Sequence, residues 1–322
     1  MESIGTPLLW VGFVVFVLIM LAVDLGVFQR KAHSVSMREA GLWTVVWIAL
    51  ALIFNVGVYH WFGYAHAMEF LTGYLMEKAL SMDNLFVFLV LFSYFGVPAH
   101  LQHRVLFFGI LGALIMRALF IVAGVALISK FHWVMYIFGA FLVFTGIKLV
   151  MNKGGEVHPE RNFMLRIFKK FVPTVPEYRG THFVVREGGR LMATPLLAVL
   201  VVIEGTDVLF AVDSIPAVFG ITRDPFIVFT SNIFAILGLR ALYFLLAGIV
   251  EKFRFLKYGL GLVLAFVGFK MLVEDLLHHM HREIPIAMSL AVIAGTVGLS
   301  ILISLIIPPK ADSRPGDQSA GQ

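Results

Sequence analysis

Two stretches place carboxylates in the middle of membrane-length apolar runs: Glu77-Lys-Ala-Leu-Ser-Met-Asp83-Asn84 and Glu204-Gly-Thr-Asp207-Val-Leu-Phe-Ala-Val-Asp213-Ser214. An ionised acid near a bilayer centre costs about 3 kcal/mol or more, so such groups face a protein interior or a wet cavity and bind something. Carboxylates accompanied by an amide oxygen and a hydroxyl are hard oxygen ligands, suited to Mg, Ca or Mn rather than to Cu or Zn. Glu77, Asp83, Asn84, Glu204, Asp207, Asp213 and Ser214 are therefore the candidate metal ligands. All 11 histidines fall in loops or near span ends, which argues against an imidazole-rich site in the core. No catalytic motif frames the acids and no nucleotide-binding motif is present, so neither catalytic residues nor a cofactor are expected.

Residues seven apart share a helix face, which aligns Glu77 with Asn84 and Asp207 with Ser214. The six-residue step between the acids of one motif corresponds to about 9 Å of rise, too far for both to hold one ion. Either the two helices cross so that each gives one acid to a shared site, or each unwinds between its acids. Pro216 would favour unwinding in the second motif. The competing reading is structural: Arg117 and Arg240 also lie within apolar runs and could pair with the acids as buried salt bridges.

The elements that must carry these residues are membrane helices. The 322-residue chain is 60% apolar, has a mean hydropathy of +0.92, and repeats apolar runs of membrane length from end to end. Nine transmembrane helices are expected, at about 7–28, 40–63, 67–96, 104–127, 132–151, 196–220, 226–250, 256–277 and 285–307. The first is read as a retained span, because Met1 to Pro7 lacks the basic start of a cleaved signal peptide. Seventeen of the 25 Lys and Arg residues fall in one set of loops and only Lys130, Arg223 and Arg282 in the other. The positive-inside rule then puts the N-terminus outside and the C-terminus in the cytoplasm. The basic character, with a pI near 9.4, is a topology signal rather than a nucleic-acid footprint. The absence of cysteine removes disulfides, thiolate metal sites and redox dithiols.

The third to fifth spans and the sixth to eighth carry an internal repeat. Glu77-x5-Asp83-Asn84 answers Asp207-x5-Asp213-Ser214, and Arg117-Ala-Leu-Phe120 answers Arg240-Ala-Leu-Tyr243. Tyr136, Gly139, Gly146 and Lys148 match Tyr258, Gly261, Gly268 and Lys270 at identical intervals. A unit of three spans places its second copy in the membrane upside down, the plan of many secondary transporters, whose substrate sites lie at the repeat interface near the midplane. The expected organisation is two N-terminal helices (1–65), a first three-helix repeat (66–151), a basic cytoplasmic loop (152–195), a second repeat (196–277), an outer loop with the ninth span (278–308) and a polar, disordered tail (309–322). Within the loop, Arg161 to Val172 reads as a basic amphipathic helix against anionic lipid headgroups, with a small hairpin following around Gly188-Gly189. Thr194-Pro195 supplies an N-cap and first-turn proline for the sixth span.

The same motifs resemble the TerC family of integral membrane proteins, and within it the Alx-type members. The likeness is carried by Glu77-Lys-Ala-Leu-Ser-Met-Asp83-Asn84-Leu-Phe-Val-Phe, by Phe92-Ser-Tyr-Phe95, by Phe210-Ala-Val-Asp-Ser-Ile-Pro-Ala217 and by the run from Ser231 to Gly248. Gly205-Thr206 departs from the Leu-Ser pair more usual in the second motif. The resemblance implies a nine-span inner-membrane protein associated with manganese export, with the paired acidic motifs as the ion path. The expected function is a secondary transporter exporting divalent cations, Mn2+ foremost, in exchange for protons, since clustered and partly desolvated carboxylates that release a cation take up protons. The alternative is a membrane accessory protein that binds metal, or delivers it to exported proteins, with the 152–195 loop docking a protein partner.

Overall fold

The chain forms an all-α polytopic membrane protein that also carries a small hairpin. The computed structural model describes residues 3–28, 37–131, 133–151, 163–187, 189–247, 255–279 and 284–306. The polar tail and the first part of the basic loop lie outside them, as do the side chains of Asp24 and Asp83. In chain order the helices are α1 (Pro7–Phe28), α2 (Met37–Phe62), α3 (Tyr64–Tyr94), α4 (Ala99–Lys130), α5 (Val134–Met151) and α6 (Phe163–Phe171). Then follow strands β1 (Val184–Glu187) and β2 (Arg190–Ala193), and helices α7 (Pro195–Phe219), α8 (Pro225–Leu237), α9 (Leu239–Ala247), α10 (Leu256–His279) and α11 (Ile286–Ile306).

Among the described residues six helices are long and apolar enough to cross a membrane: α2, α4, α5, α7, α10 and α11. A seventh span results if α8 and α9 are taken together. The described apolar part of α1, Pro7–Val23, is shorter, and α3, although 31 residues long, carries Glu69, Glu77, Lys78 and Asp83. A helix with that many charges is stable in a bilayer only when enclosed by its neighbours. It is enclosed here, packing along α2, α7, α8 and α11.

The expected continuous seventh span is instead two helices, α8 and α9, bent by 40° at Gly238. The cause is local. The buried Lys78 ammonium donates to the Ala235 carbonyl (3.1 Å) in the last turn of α8, and a Cβ at Gly238 would lie 2.8 Å from that ammonium. A glycine leaves room for a cation that takes up a carbonyl freed by the break. The other end of α8 is fixed by Asp224, whose carboxylate accepts from Phe226 N (2.8 Å) and Ile227 N and also from Ser3 Oγ and Ile4 N, tying the N-terminal segment to it.

The unwinding expected at Pro216 does not occur. Helix α7 runs unbroken from Pro195 to Phe219, and the proline, in its last turn, takes the in-helix donor from a single carbonyl, that of Val212. Helix α3 is likewise continuous through Glu77 and Asp83. At the start of α7, Thr194 occupies the N-cap position, but its hydroxyl donates to His182 O and Phe183 O rather than capping the helix. That bond ties the membrane helix to the hairpin, in which Val184 pairs with Ala193 and Glu187 with Arg190. On α6, Leu165 and Phe168 are buried in the core beside α7 while Arg166 and Lys170 stay exposed.

The packing of the middle helices is reciprocal. Helix α3 lies along α8 and α4 along α7, α3 meets α7, and α5 meets α10. The α5–α10 contact is the closest. A Cβ on Gly139 would come within 2.9 Å of Gly268 O, and one on Gly268 within 2.6 Å of Gly139 O. Gly146 and Gly261 stand against each other in the same way, so the two helices run antiparallel with backbones touching.

Candidate metal centre

The acids of the two motifs meet through their first members. Glu77 lies near the middle of α3 and Asp207 at the middle of α7, and both reach Arg117 of α4. Arg117 and Glu77 have no solvent-exposed surface, and Asp207 is 4% exposed. One guanidinium nitrogen, Nη1, donates to Glu77 Oε1, to Ser214 Oγ (3.0 Å) and to Asn232 Oδ1 (2.8 Å). The other, Nη2, lies 3.6 Å from Asp207 Oδ1, an ion-pair distance beyond hydrogen bonding. Four helices thus converge on one buried point: α3 through Glu77, α7 through Asp207 and Ser214, α8 through Asn232 and α4 through Arg117.

Capacity is left over at this point. Glu77 Oε2, Asp207 Oδ2, Asn232 Nδ2, Arg117 Nε and Arg117 Nη2 are buried without a hydrogen-bond partner, as is Ser81 Oγ one turn after Glu77. Buried polar groups left unpaired are rare and costly, and here carboxylate oxygens and nitrogen donors are left so together. The charge also fails to balance. Among the described residues two carboxylates face one guanidinium, while the neighbouring Lys78 directs its ammonium away to the α8–α9 break. The centre is one positive charge short.

The remaining sequence-derived candidates divide. Ser214 is part of the centre. Asn84 is buried on the same helix as Glu77. Asp213 is half-buried and turned elsewhere, hydrogen-bonded to Thr145 of α5 with Lys148 nearby. Glu204 lies one turn before Asp207, close enough to feel its charge, with its carboxylate pressed onto Gly112 of α4. The backbone of Asp83 lies on α3, two turns from Glu77. Among the described residues no three His, Cys, Asp or Glu side chains gather within reach of one metal ion. The described side chains that meet at this point are an acid pair, an arginine and two neutral side-chain oxygens.

Asn232 was not among the ligands expected from the sequence. Its signal was the polar run Thr230-Ser231-Asn232 inside an otherwise apolar helix, where each polar group needs a partner. Thr230 and Ser231 satisfy themselves on backbone carbonyls of their own helix, and Asn232 alone of the three reaches the centre.

Comparison with known proteins gives the chain a family context. The model of the integral membrane protein TerC family matches residues 62–312. A membrane protein of Myxococcus xanthus, STKORF319, described as uncharacterized, is 52% identical over 315 residues, covering 98% of this chain and 97% of its own. Alx of Escherichia coli K12, described as a candidate membrane-bound redox modulator, is 48% identical over 326 residues, 98% of this chain and 100% of its own. An uncharacterized membrane protein of Rickettsia felis is 42% identical over 297 residues, 92% of this chain and 97% of its own. No solved structure matches the chain.

Proposed function

Since the chain belongs to the TerC family of integral membrane proteins, we propose that it is a secondary transporter exporting divalent cations, Mn2+ foremost, from the cytoplasm in exchange for protons. The observation that carries this reading is the buried mid-span centre of Glu77, Asp207, Ser214 and Asn232, hard oxygens from three helices with one positive charge too few. A divalent cation more than offsets the one excess negative charge when bound. A proton offsets it when the cation has left, and that exchange is the basis of antiport.

Architecture supports the same reading. Glu77 and Asp207 are matched positions of the sequence repeat, and they meet. Gly139 matches Gly261 and Gly146 matches Gly268, yet the contacts run Gly139 to Gly268 and Gly146 to Gly261. Such an exchange of partners is what two copies related by a two-fold axis require. This supports the reading of residues 66–151 and 196–277 as two inverted repeats, within nine spans, with the substrate site at their interface as in other secondary transporters. The excess of Lys and Arg on one side sets the C-terminus in the cytoplasm of a bacterial inner membrane. There the exposed Arg166 and Lys170 of α6 face anionic headgroups. Asp83 and Asp213 then serve as approach ligands, two turns from Glu77 and Asp207 along their helices.

The redox description belongs to the Alx relatives. This chain has no cysteine, so any thiol–disulfide chemistry around it is performed by another protein.

The test is Mn2+ flux in proteoliposomes containing this purified protein alone, with and without an imposed pH gradient. Flux that accelerates when protons are driven against Mn2+ is the expected result. A folded protein that binds Mn2+ but moves none in either orientation would replace the transporter by the accessory reading, in which 152–195 docks a partner.

A further inference from the structure

Ser81 differs from the other hydroxyls buried in the helices around it. Thr72 of α3 donates to Met68 O (2.6 Å), Thr206 of α7 to Val202 O (2.7 Å), and Thr230 and Ser231 of α8 to Phe226 O (2.8 Å) and Val228 O (3.2 Å). Each satisfies itself on the preceding turn of its own helix, the usual solution where water is absent. Ser81 has no exposed surface, and its Oγ has no hydrogen-bond partner. A buried hydroxyl left unpaired costs stability and calls for a reason. Packing does not supply one. Ser81 follows Glu77 by four residues, and the matched place four residues after Asp207 is Ala211, which is buried as well. A plain methyl is enough at that position of the repeat.

The reason lies one turn away. Residues four apart on a helix share a face, with Cβ atoms about 5–6 Å apart, and side chains lean toward the N-terminus of their helix, so Ser81 leans over the turn that holds Glu77. Glu77 Oε2 and, from α7, Asp207 Oδ2 are likewise buried without a partner. These three oxygens are acceptor capacity that Arg117 does not take up. The unpaired nitrogens beside them are donors and have no part in holding a cation.

We propose that Ser81 is a neutral ligand of the cation held between Glu77 and Asp207, and that its hydroxyl helps to reserve the site for hard divalent ions. This rests on the cation-site reading above and adds to it a residue outside the acids. A third carboxylate would also bind the cation, but it would leave the empty site with one more uncompensated charge in a low-dielectric interior. A hydroxyl adds a hard oxygen and no charge. The cost of leaving it unpaired falls on the empty protein and is relieved when the ion binds.

The test is equilibrium binding of Mn2+ and of Cd2+ to the purified full chain in detergent, with thermal unfolding of the metal-free proteins beside it. Ser81→Ala should weaken Mn2+ binding by about tenfold, the lower end of what the loss of a metal's outer-shell partner costs. Its metal-free unfolding temperature should match or exceed that of the wild type, because the unpaired hydroxyl is gone. Ser81→Cys puts a soft sulfur in place of a hard oxygen and should turn the ratio of the two affinities toward Cd2+ by about tenfold or more. The chain has no cysteine of its own, so that thiol is unique. Ser289→Cys is the control. Its hydroxyl is also buried without a partner, but it lies in the first turn of α11, none of whose described residues belongs to the centre, and the ratio should stay as in the wild type.

The proposal is overturned by a Ser81→Ala protein that binds Mn2+ as tightly as the wild type, or by one that is destabilised without metal, which would make the hydroxyl a structural partner. Equal shifts from the two cysteines would overturn it too. Absence of Mn2+ binding by the wild-type protein would overturn the cation site itself, a separately readable outcome.

Discussion

Changing Glu77 to Gln, or Asp207 to Asn, is expected to lower Mn2+ flux by roughly 100-fold or more while the protein still folds and inserts. Loss of a mere outer-sphere partner of a metal costs about 10–100-fold in affinity, and in the proposed site these acids are the charged ligands themselves. The expectation that folding survives comes from the charge count. In the native centre two carboxylates face one guanidinium. Neutralising either acid leaves a balanced one-to-one pair with Arg117, the state a low-dielectric interior tolerates best. The same balance removes the reason to bind a cation. Flux assays on the two variants, with unfolding temperatures beside them, check both halves. A variant that folds and transports at the wild-type rate would remove its acid from the ion path.

Gly146→Leu is expected to destabilise the protein by about 3 kcal/mol or more, at the upper end of what overpacking costs. A side chain at this position meets the backbone of α10 at Gly261 O and Ala265 N rather than a movable side chain, so no rotamer change relieves the clash. The helices must separate, and with them the contact that joins the last helices of the two repeats. Gly295→Leu on α11 is the matching control, because a Cβ there meets nothing within 4 Å. Thermal unfolding of the solubilised proteins should show a large loss for the first and little change for the second. Equal losses would mean that added bulk in a membrane helix, rather than the α5–α10 backbone contact, is the cause.

Most of the architecture was legible because the bilayer imposes simple rules. Long apolar runs had to be helices, and the chain is helical along them. The break between α8 and α9 was not legible, because its cause, the Lys78 ammonium on Ala235 O, comes from a helix more than 150 residues away. Pro216 misled because a proline removes one in-helix bond without having to interrupt the helix, and α7 continues through it to Phe219.

The candidate centre was half legible. Acids in membrane spans announce themselves by their cost, so both motifs stood out, and so did Arg117 as a partner. Sequence spacing could place residues on one face of one helix, but not say which faces of different helices meet. It could not pick out Glu77 with Asp207 from the other acid pairings, nor turn Asp213 toward Thr145 and Lys148. Asn232 was missed because a neutral amide in an apolar helix carries less cost than a charge, and so a weaker signal. Of the two readings set against each other at the start, the buried salt bridge is present, and the oxygens it leaves unsatisfied are what the ion-site proposal rests on.

The central claim is that Glu77 and Asp207 form one divalent-cation site between α3 and α7, and Mn2+ binding followed by electron paramagnetic resonance tests it most directly. Added to wild-type protein, the first equivalent of Mn2+ should lose its free-ion signal; added to the Glu77→Gln, Asp207→Asn double variant, it should keep that signal in full. Stoichiometric binding by the folded double variant would contradict the claim and move the site to other acids.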